Sequence, residues 1–239
     1  MRTTILQFLL PFSAWCLGVL TPGAFADSPP KGAPAPQSLT SVGGAQKPDE
    51  DRWVSLFDGT TMTGWKSTAF GGGGGAEVDK CALVVDQGEE LSGVNCTADF
   101  PKMSYEFELE AQRRSGLDFF CGITFPVRDK FLSFIIGGWS GSTVGISSVD
   151  KKDASMNETT STRFFKDNRW YRVRLRVEEN RIQAWIDDER VVDLDTKGKD
   201  LSLRPGEIDL SAPIGIASFR TTAAYKGMRV RRLAPGGGN

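Results

Sequence analysis

The 239-residue chain contains no histidine. That absence removes histidine metal sites, a Ser-His-Asp triad and a Cys-His pair. Proton transfer is left to Asp, Glu, Lys or Tyr. Any cofactor of the metal kind would be a divalent cation held by oxygen ligands. The most ordered carboxylates are Glu106, Glu108 and Glu110, which alternate with Tyr105, Phe107 and Leu109. Alternation puts all three on one face of a strand, neighbours about 6–7 Å apart at the usual rise per residue. The spacing suits paired-carboxylate catalysis, with Glu106 and Glu108 as candidates. The same pattern also describes a solvated face set against Arg172, Arg174 and Arg176.

A second set lies in the middle of the chain. Trp139 is flanked by Gly137, Gly138, Ser140 and Gly141, so nothing in its immediate sequence buries it. An indole beside small polar residues is a platform for the apolar face of a sugar ring, or else it folds under its own loop. With Thr124, Ser140 and Asn157 it forms the candidate substrate-binding set. Asp118 is the candidate catalytic carboxylate nearby. Alternation with Phe119 and Cys121, taken as core-facing, would point it the other way, alongside Phe120 and Thr124. Asp150, Asp153 and Glu158 share a polar loop that could hold Ca²⁺. Asp150 and Glu158 are the metal candidates, although the spacing matches no calcium motif.

The elements that must position these groups are strands. Val173, Leu175 and Val177 alternate with Arg172, Arg174 and Arg176 as the Glu ladder does. The runs Leu117 to Phe125 and Lys130 to Gly137 are apolar enough for strands covered on both faces. Arg181 to Asp187, a turn, and Val191 to Leu194 read as a hairpin. Pro213 to Phe219 and Gly227 to Leu233 read as closing strands. No helical period of useful length and no internal repeat occurs. The expected fold is all-β, a two-sheet antiparallel jelly-roll sandwich. Gly71 to Gly75 is a low-complexity patch, read as a flexible connection or a loop over a site; it lacks the Lys-Ser/Thr ending of a phosphate loop.

Residues 1–26 have the parts of a secretory signal: Arg2, an apolar run from Ile5 to Leu20, and Ala24-Phe25-Ala26 before the expected cut. An uncleaved anchor is the alternative reading. Residues 27–51 are rich in Pro, Gly and Ala and poor in large apolar groups, so a flexible tether is expected. A single domain is expected over 52–234, with a flexible end at 235–239. The protein is thus expected to be exported, to the periplasm, cell surface or medium, with no transmembrane segment in the mature chain. A net charge of −1 with no Lys/Arg block makes nucleic acid and anionic membranes poor partners. Of the cysteines after the cut, Cys121 reads as core, and a Cys81–Cys96 bridge is open in an oxidising compartment.

One stretch has a specific likeness. Trp53-Val-Ser-Leu-Phe-Asp-Gly-Thr-Thr-Met-Thr-Gly-Trp65 resembles the opening "LFDG-x-x-L-x-GW" signature of the 3-keto-disaccharide hydrolase domain family, also described as 3-keto-glucoside lyase/3-keto-2-hydroxy-glucal hydratase. Asn168 to Val177 with Arg181 to Asp188 resembles its hairpin, and Pro213 to Leu233 its closing strands. The resemblance implies a concanavalin A-like jelly roll and a carbohydrate partner. It also implies hydrolysis or elimination of 3-keto-glycosides: a base takes the C2 proton acidified by the C3 carbonyl, and the glycosidic oxygen leaves C1. Phe119 to Phe125 and Ile136 to Ser142 depart from the family pattern, on the side expected to face ligand. A non-catalytic glycan-binding or cell-surface module on the same fold is the alternative.

Overall fold

The period-two segments form the strands of the computed structural model, which describes residues 51–234. The expected signal, the expected tether up to Glu50, and residues 235–239 lie outside the described residues. The strands, in chain order, are β1 (Val54–Ser55), β2 (Trp65–Ser67), β3 (Ala76–Asp79), β4 (Ala82–Val85), β5 (Leu91–Cys96), β6 (Tyr105–Gly116), β7 (Cys121–Val127), β8 (Lys130–Gly137), β9 (Thr143–Ser147), β10 (Ser161–Thr162), β11 (Trp170–Glu178), β12 (Arg181–Ile186), β13 (Glu189–Asp195), β14 (Gly215–Phe219) and β15 (Thr221–Arg232). One sheet runs β13-β12-β11-β6-β15-β4-β3, with β1 added beside β15; the other runs β10-β9-β8-β7-β14-β5-β2. Pairing is antiparallel in both, for example Phe107 opposite Leu175 and Ile123 opposite Phe134. This is the all-β, two-sheet jelly-roll sandwich that alternation predicts. No helix among the described residues is long and apolar enough to cross a membrane.

The inner faces of both sheets supply one core. Phe107, Leu109, Val173 and Leu175 enter it from the eight-stranded sheet, and Ile123, Phe125, Phe134 and Ile146 from the seven-stranded one. Phe107 is 1% exposed, so the odd positions of β6 face inward and its glutamates face out. Glu106 meets Arg231 at 2.7 Å, Glu108 meets Arg229 at 2.9 Å and Glu110 meets Lys226 at 3.4 Å. The closest cations therefore come from β15 on one side, while Arg176 of β11 stands 3.9 Å from Glu106. Each glutamate already has a counter-ion, on the outer face of the sheet opposite the cavity described below. The structure thus places the catalytic candidates Glu106 and Glu108 in a charge ladder, away from that cavity.

Two further expectations change. Gly71 to Gly75 is a packed connection: a Cβ on Gly74 would lie 2.1 Å from the Asp86 carbonyl oxygen, and the Gly74 N–H donates to Ser92 Oγ at 2.9 Å. The glycines are there because backbone passes against backbone. Cys81 is exposed, Cys96 is buried in the core, and both are free thiols, so no bridge joins them. Cys121 is core as expected, and burial pushes its thiol far above the ordinary range.

Candidate functional site

The outer face of the seven-stranded sheet is built differently. Because Cys121, Ile123 and Phe125 point into the core, Gly122 and Thr124 of β7 point out. Register sets Thr124 beside Ser133 of β8, and Ser133 beside Ser147 of β9. The next row along the strands is Gly122, Ile135 and Gly145. A band of hydroxyls thus lies next to an apolar band across three strands. Thr124 Oγ1 and Ser133 Oγ are 3.1 Å apart and share a hydrogen bond. Gly122 leaves room for Phe119, whose ring would sit 3.0 Å from a Cβ there.

A long connection from β13 to β14 roofs this face. It is fastened at Ser148 and Ser202, whose backbones exchange hydrogen bonds of 2.6 and 3.3 Å. It is fastened again where Asn95 Nδ2 donates to the carbonyls of Leu210 and Ala212, at 3.0 and 3.2 Å. Ile208 and Leu203 pack with Phe70, Leu91, Phe119 and Ala217 between roof and floor. Between the two fastenings the segment Arg204–Glu207 stands over a cavity of about 480 Å³. Ser133, Ile135 and Ser147 form its floor, Phe119, Phe219 and Trp139 its apolar walls. Phe119 and Phe219 stack with centroids 6.0 Å apart. The size and the mix of apolar walls with few polar groups fit a small-molecule site.

Trp139 stands on the turn Gly138–Gly141 that follows β8. The turn is left-handed: Trp139 has φ 47° and ψ 66°, and Ser140 has φ 69° and ψ 32°. The indole is 36% exposed, with the Arg204 guanidinium 5.7 Å from its ring centroid. It is neither solvent-flung nor folded into the core. Asp118 accepts the Phe119 N–H through Oδ1 at 2.7 Å and the Ser140 N–H through Oδ2 at 3.1 Å. Asp118 and Trp139 thus both line the cavity. The chain reaches Cys121 through a turn, so alternation fails at 119 and 120. Phe120 enters the core against Phe165 and Tyr171, and Phe119 lines the cavity, the reverse of the sequence expectation.

The remaining sequence candidates fall elsewhere. Thr124 lies under the floor, fully buried, and reaches the cavity only through Ser133. Ser140 contributes its N–H to Asp118. Asn157 ties its own loop: Nδ2 donates to the carbonyls of Ile146, Lys152 and Asp153, and Oδ1 accepts from Thr159. Its groups are spent on fold. Asp150 and Glu158 do approach each other, but around an ammonium: Lys199 Nζ lies 3.3 Å from one and 3.2 Å from the other. Those two carboxylates raise the Lys199 pKa, Glu158 first. The Asp200 N–H, followed by Lys199, lowers that of Asp150. A lysine occupies the place a cation would take.

The cavity carries three carboxylates besides Arg204. Asp118 is engaged as described, Glu207 Oε2 accepts the Gly71 N–H at 3.1 Å, and Glu90 pairs with Arg220 at 3.5 Å. They sit on the rim, and among the described residues no three Cys, Asp or Glu side chains converge as a metal-holding group. The rim does not fit a bound divalent cation. The three tyrosines are buried with their phenols committed: Tyr105 donates to Pro126 O, Tyr225 to Phe120 O, and Tyr171 accepts the Lys166 N–H. Burial raises the Tyr105 and Tyr225 pKa values well above the ordinary phenol range.

Sequence reasoning missed Arg204, Glu207, Glu90, Phe219 and the two floor serines. Two signals pointed to some of them. A serine interrupts the apolar run of β8 at Ser133, and residues 196–214 form a long connection without period, a length that in compact domains tends to be functional.

Strand order defines a two-sheet jelly roll, with a roofed amphipathic cavity on one outer face. Residues 52–231 match the 3-keto-alpha-glucoside-1,2-lyase-like domain, and the chain belongs to that family, a carbohydrate-related one. Among solved structures, a protein assigned to the glycosyl hydrolases from Parabacteroides distasonis superposes with a TM-score of 0.51 at 12% identity, covering 76% of this chain and 94% of its own. A protein with a galectin-like fold from Bacillus subtilis gives 0.52 at 11% identity, covering 73% and 91%. At such identity these likenesses speak for the fold. No curated protein matches the chain in sequence.

Proposed function

We propose that this domain binds a glycoside in the roofed cavity, as a carbohydrate-recognition module. The observation that carries the reading is the floor: hydroxyls of Ser133 and Ser147 beside Ile135, walled by Phe119, Phe219 and Trp139. A pyranose has the same two-sided character, with C–H groups on its faces and hydroxyls at its edge. Of the rim carboxylates, Glu90 and Glu207 are placed for edge contacts, while both oxygens of Asp118 are taken by the Phe119 and Ser140 N–H groups. The test is a binding titration with methyl α-glucoside, maltose and their 3-keto forms. Saturable binding that Trp139→Ala weakens supports the reading; no binding of any of them by the unaltered protein sinks it.

Family membership favours a second reading, elimination of 3-keto-glucosides. Glu207 is then the base to examine: Oε2 accepts the Gly71 N–H, and among the described residues no hydrogen bond engages Oε1. The pair from the broken C2–H bond would be held as an enolate on the C3 carbonyl; as it returns to form the C1–C2 double bond, the C1–oxygen bond breaks and the leaving oxygen takes up a proton from the protonated base or water. Release of the leaving group from a 3-keto-glucoside, lost in Glu207→Gln with binding retained, would establish that chemistry. Export is proposed on the sequence alone. N-terminal sequencing of secreted material should begin at Asp27.

A further inference from the structure

We infer that Asp118 is a positioning residue, which locks the left-handed Trp139–Ser140 turn and so sets the indole as the stacking wall of the cavity; the role in binding rests on the glycoside reading above. The argument starts from the backbone. Residues with a Cβ adopt left-handed φ singly and at a cost, because the Cβ crowds a carbonyl oxygen. Here two such residues, Trp139 and Ser140, do so in succession, between Gly137 at φ 79° and Gly141 at φ 98°. Four of the five positions from 137 to 141 hold glycine or serine, and the exception is the largest side chain there is.

Burial does not explain that choice, because the indole stays 36% exposed. What it contacts is Arg204 and the cavity. A strained, poorly buried tryptophan on a ligand cavity is a placed group, and strain of this kind persists only where neighbours over-determine it. Asp118 is that neighbour. One oxygen fixes the carboxylate on its own chain, at Phe119 N, and the other reaches 3.1 Å to Ser140 N, inside the strained pair. Ionised, the carboxylate is an acceptor only, so both bonds take the N–H groups without competition. The Asp118 backbone is braced by Thr221 Oγ1, which lies 3.3 Å from both its N and its O. Gly141 completes the fit, since a Cβ there would meet the Leu117 carbonyl oxygen at 3.0 Å.

Amide hydrogen exchange tests the lock without any ligand. Ser140 N–H should be protected in the unaltered protein and exchange at least tenfold faster in Asp118→Ala, while core amides such as Ile123 and Leu132 keep their rates. Asp118→Asn, with one acceptor oxygen left, should fall between. Titration with maltose and 3-keto-maltose tests the consequence. Asp118→Ala and Trp139→Ala should weaken binding similarly, and the double variant should lose no more than either single one. Unprotected Ser140 N–H in the unaltered protein overturns the lock. Additive losses overturn the positioning role, since Asp118 would then touch the ligand itself. Absence of binding by the unaltered protein removes the glycoside reading alone, and the exchange result still decides the lock.

Discussion

At the scale of single residues, neighbouring carboxylates on one strand have different weights. Glu108 is partly exposed and pairs with an exposed Arg229, so Glu108→Ala should cost about 0–1 kcal/mol. Glu106 has a side chain only 2% exposed, held between Arg231 and Arg176. Its removal strips a buried anion from two half-sheltered cations, and Glu106→Ala should cost roughly 1–3 kcal/mol, below the figure for a fully buried pair. Phe107→Ala, between them and facing the core, should cost about 3–5 kcal/mol. Urea unfolding of the three variants measures the order; equal costs for Glu106 and Glu108 would mean the ladder is uniformly solvated. Alternation told which residues share a face and could not tell which strand supplies the counter-charge. Register sets cations opposite the glutamates from both neighbours, Arg172, Arg174 and Arg176 on β11 and Lys226, Arg229 and Arg231 on β15, and the closest ion pairs form with β15.

At the scale of elements, the roof is the part that period cannot reveal. The strands were legible because a half-buried strand must alternate, and β6, β11, β12 and β15 do so over many residues. Residues 196–214 bear no such pattern, since their shape comes from what they lie on. Asn95 shows this dependence. On sequence it is a polar residue near the end of β5; in the fold its amide holds two roof carbonyls, and Thr68 Oγ1 bonds its Oδ1. Asn95→Ala should leave those carbonyls short of donors and cost roughly 1–3 kcal/mol. It should also weaken glycoside binding, because Arg204 and Glu207 hang between Asn95 and Ser202. Gly74→Ala is the companion test at the glycine-rich connection. With no room for a Cβ it should lower the melting temperature by several degrees, whereas Gly198→Ala, with open space around a left-handed glycine, should cost only the backbone term, about 1 kcal/mol. A similar loss for both would show that the connection yields.

At the scale of the whole molecule, the two sheets divide the work. The eight-stranded sheet turns a paired ladder of Glu and Arg to solvent, and the seven-stranded sheet turns out hydroxyls, apolar rings and a roofed cavity. Between them lies one core to which both contribute Phe, Ile, Leu and Val. Among the described residues the ladder and the cavity share no side-chain partner, so their effects should add independently. Arg229→Ala should therefore change stability slightly and leave glycoside affinity as it was. Trp139→Ala should do the reverse: about tenfold weaker binding, equivalent to about 1.4 kcal/mol, with a melting temperature within a degree or two. Phe125→Ala, in the core beneath β7, should lower both, because it loosens the strand that carries Thr124 and Gly122 toward the floor. Calorimetric melting and a glycoside titration on the three proteins and the double variant Arg229→Ala/Trp139→Ala make the comparison. Independence predicts that the double variant binds as Trp139→Ala does and melts as Arg229→Ala does. A double variant that binds markedly worse than Trp139→Ala would mean that the charge ladder reaches the cavity through the core, and that the faces are not separate.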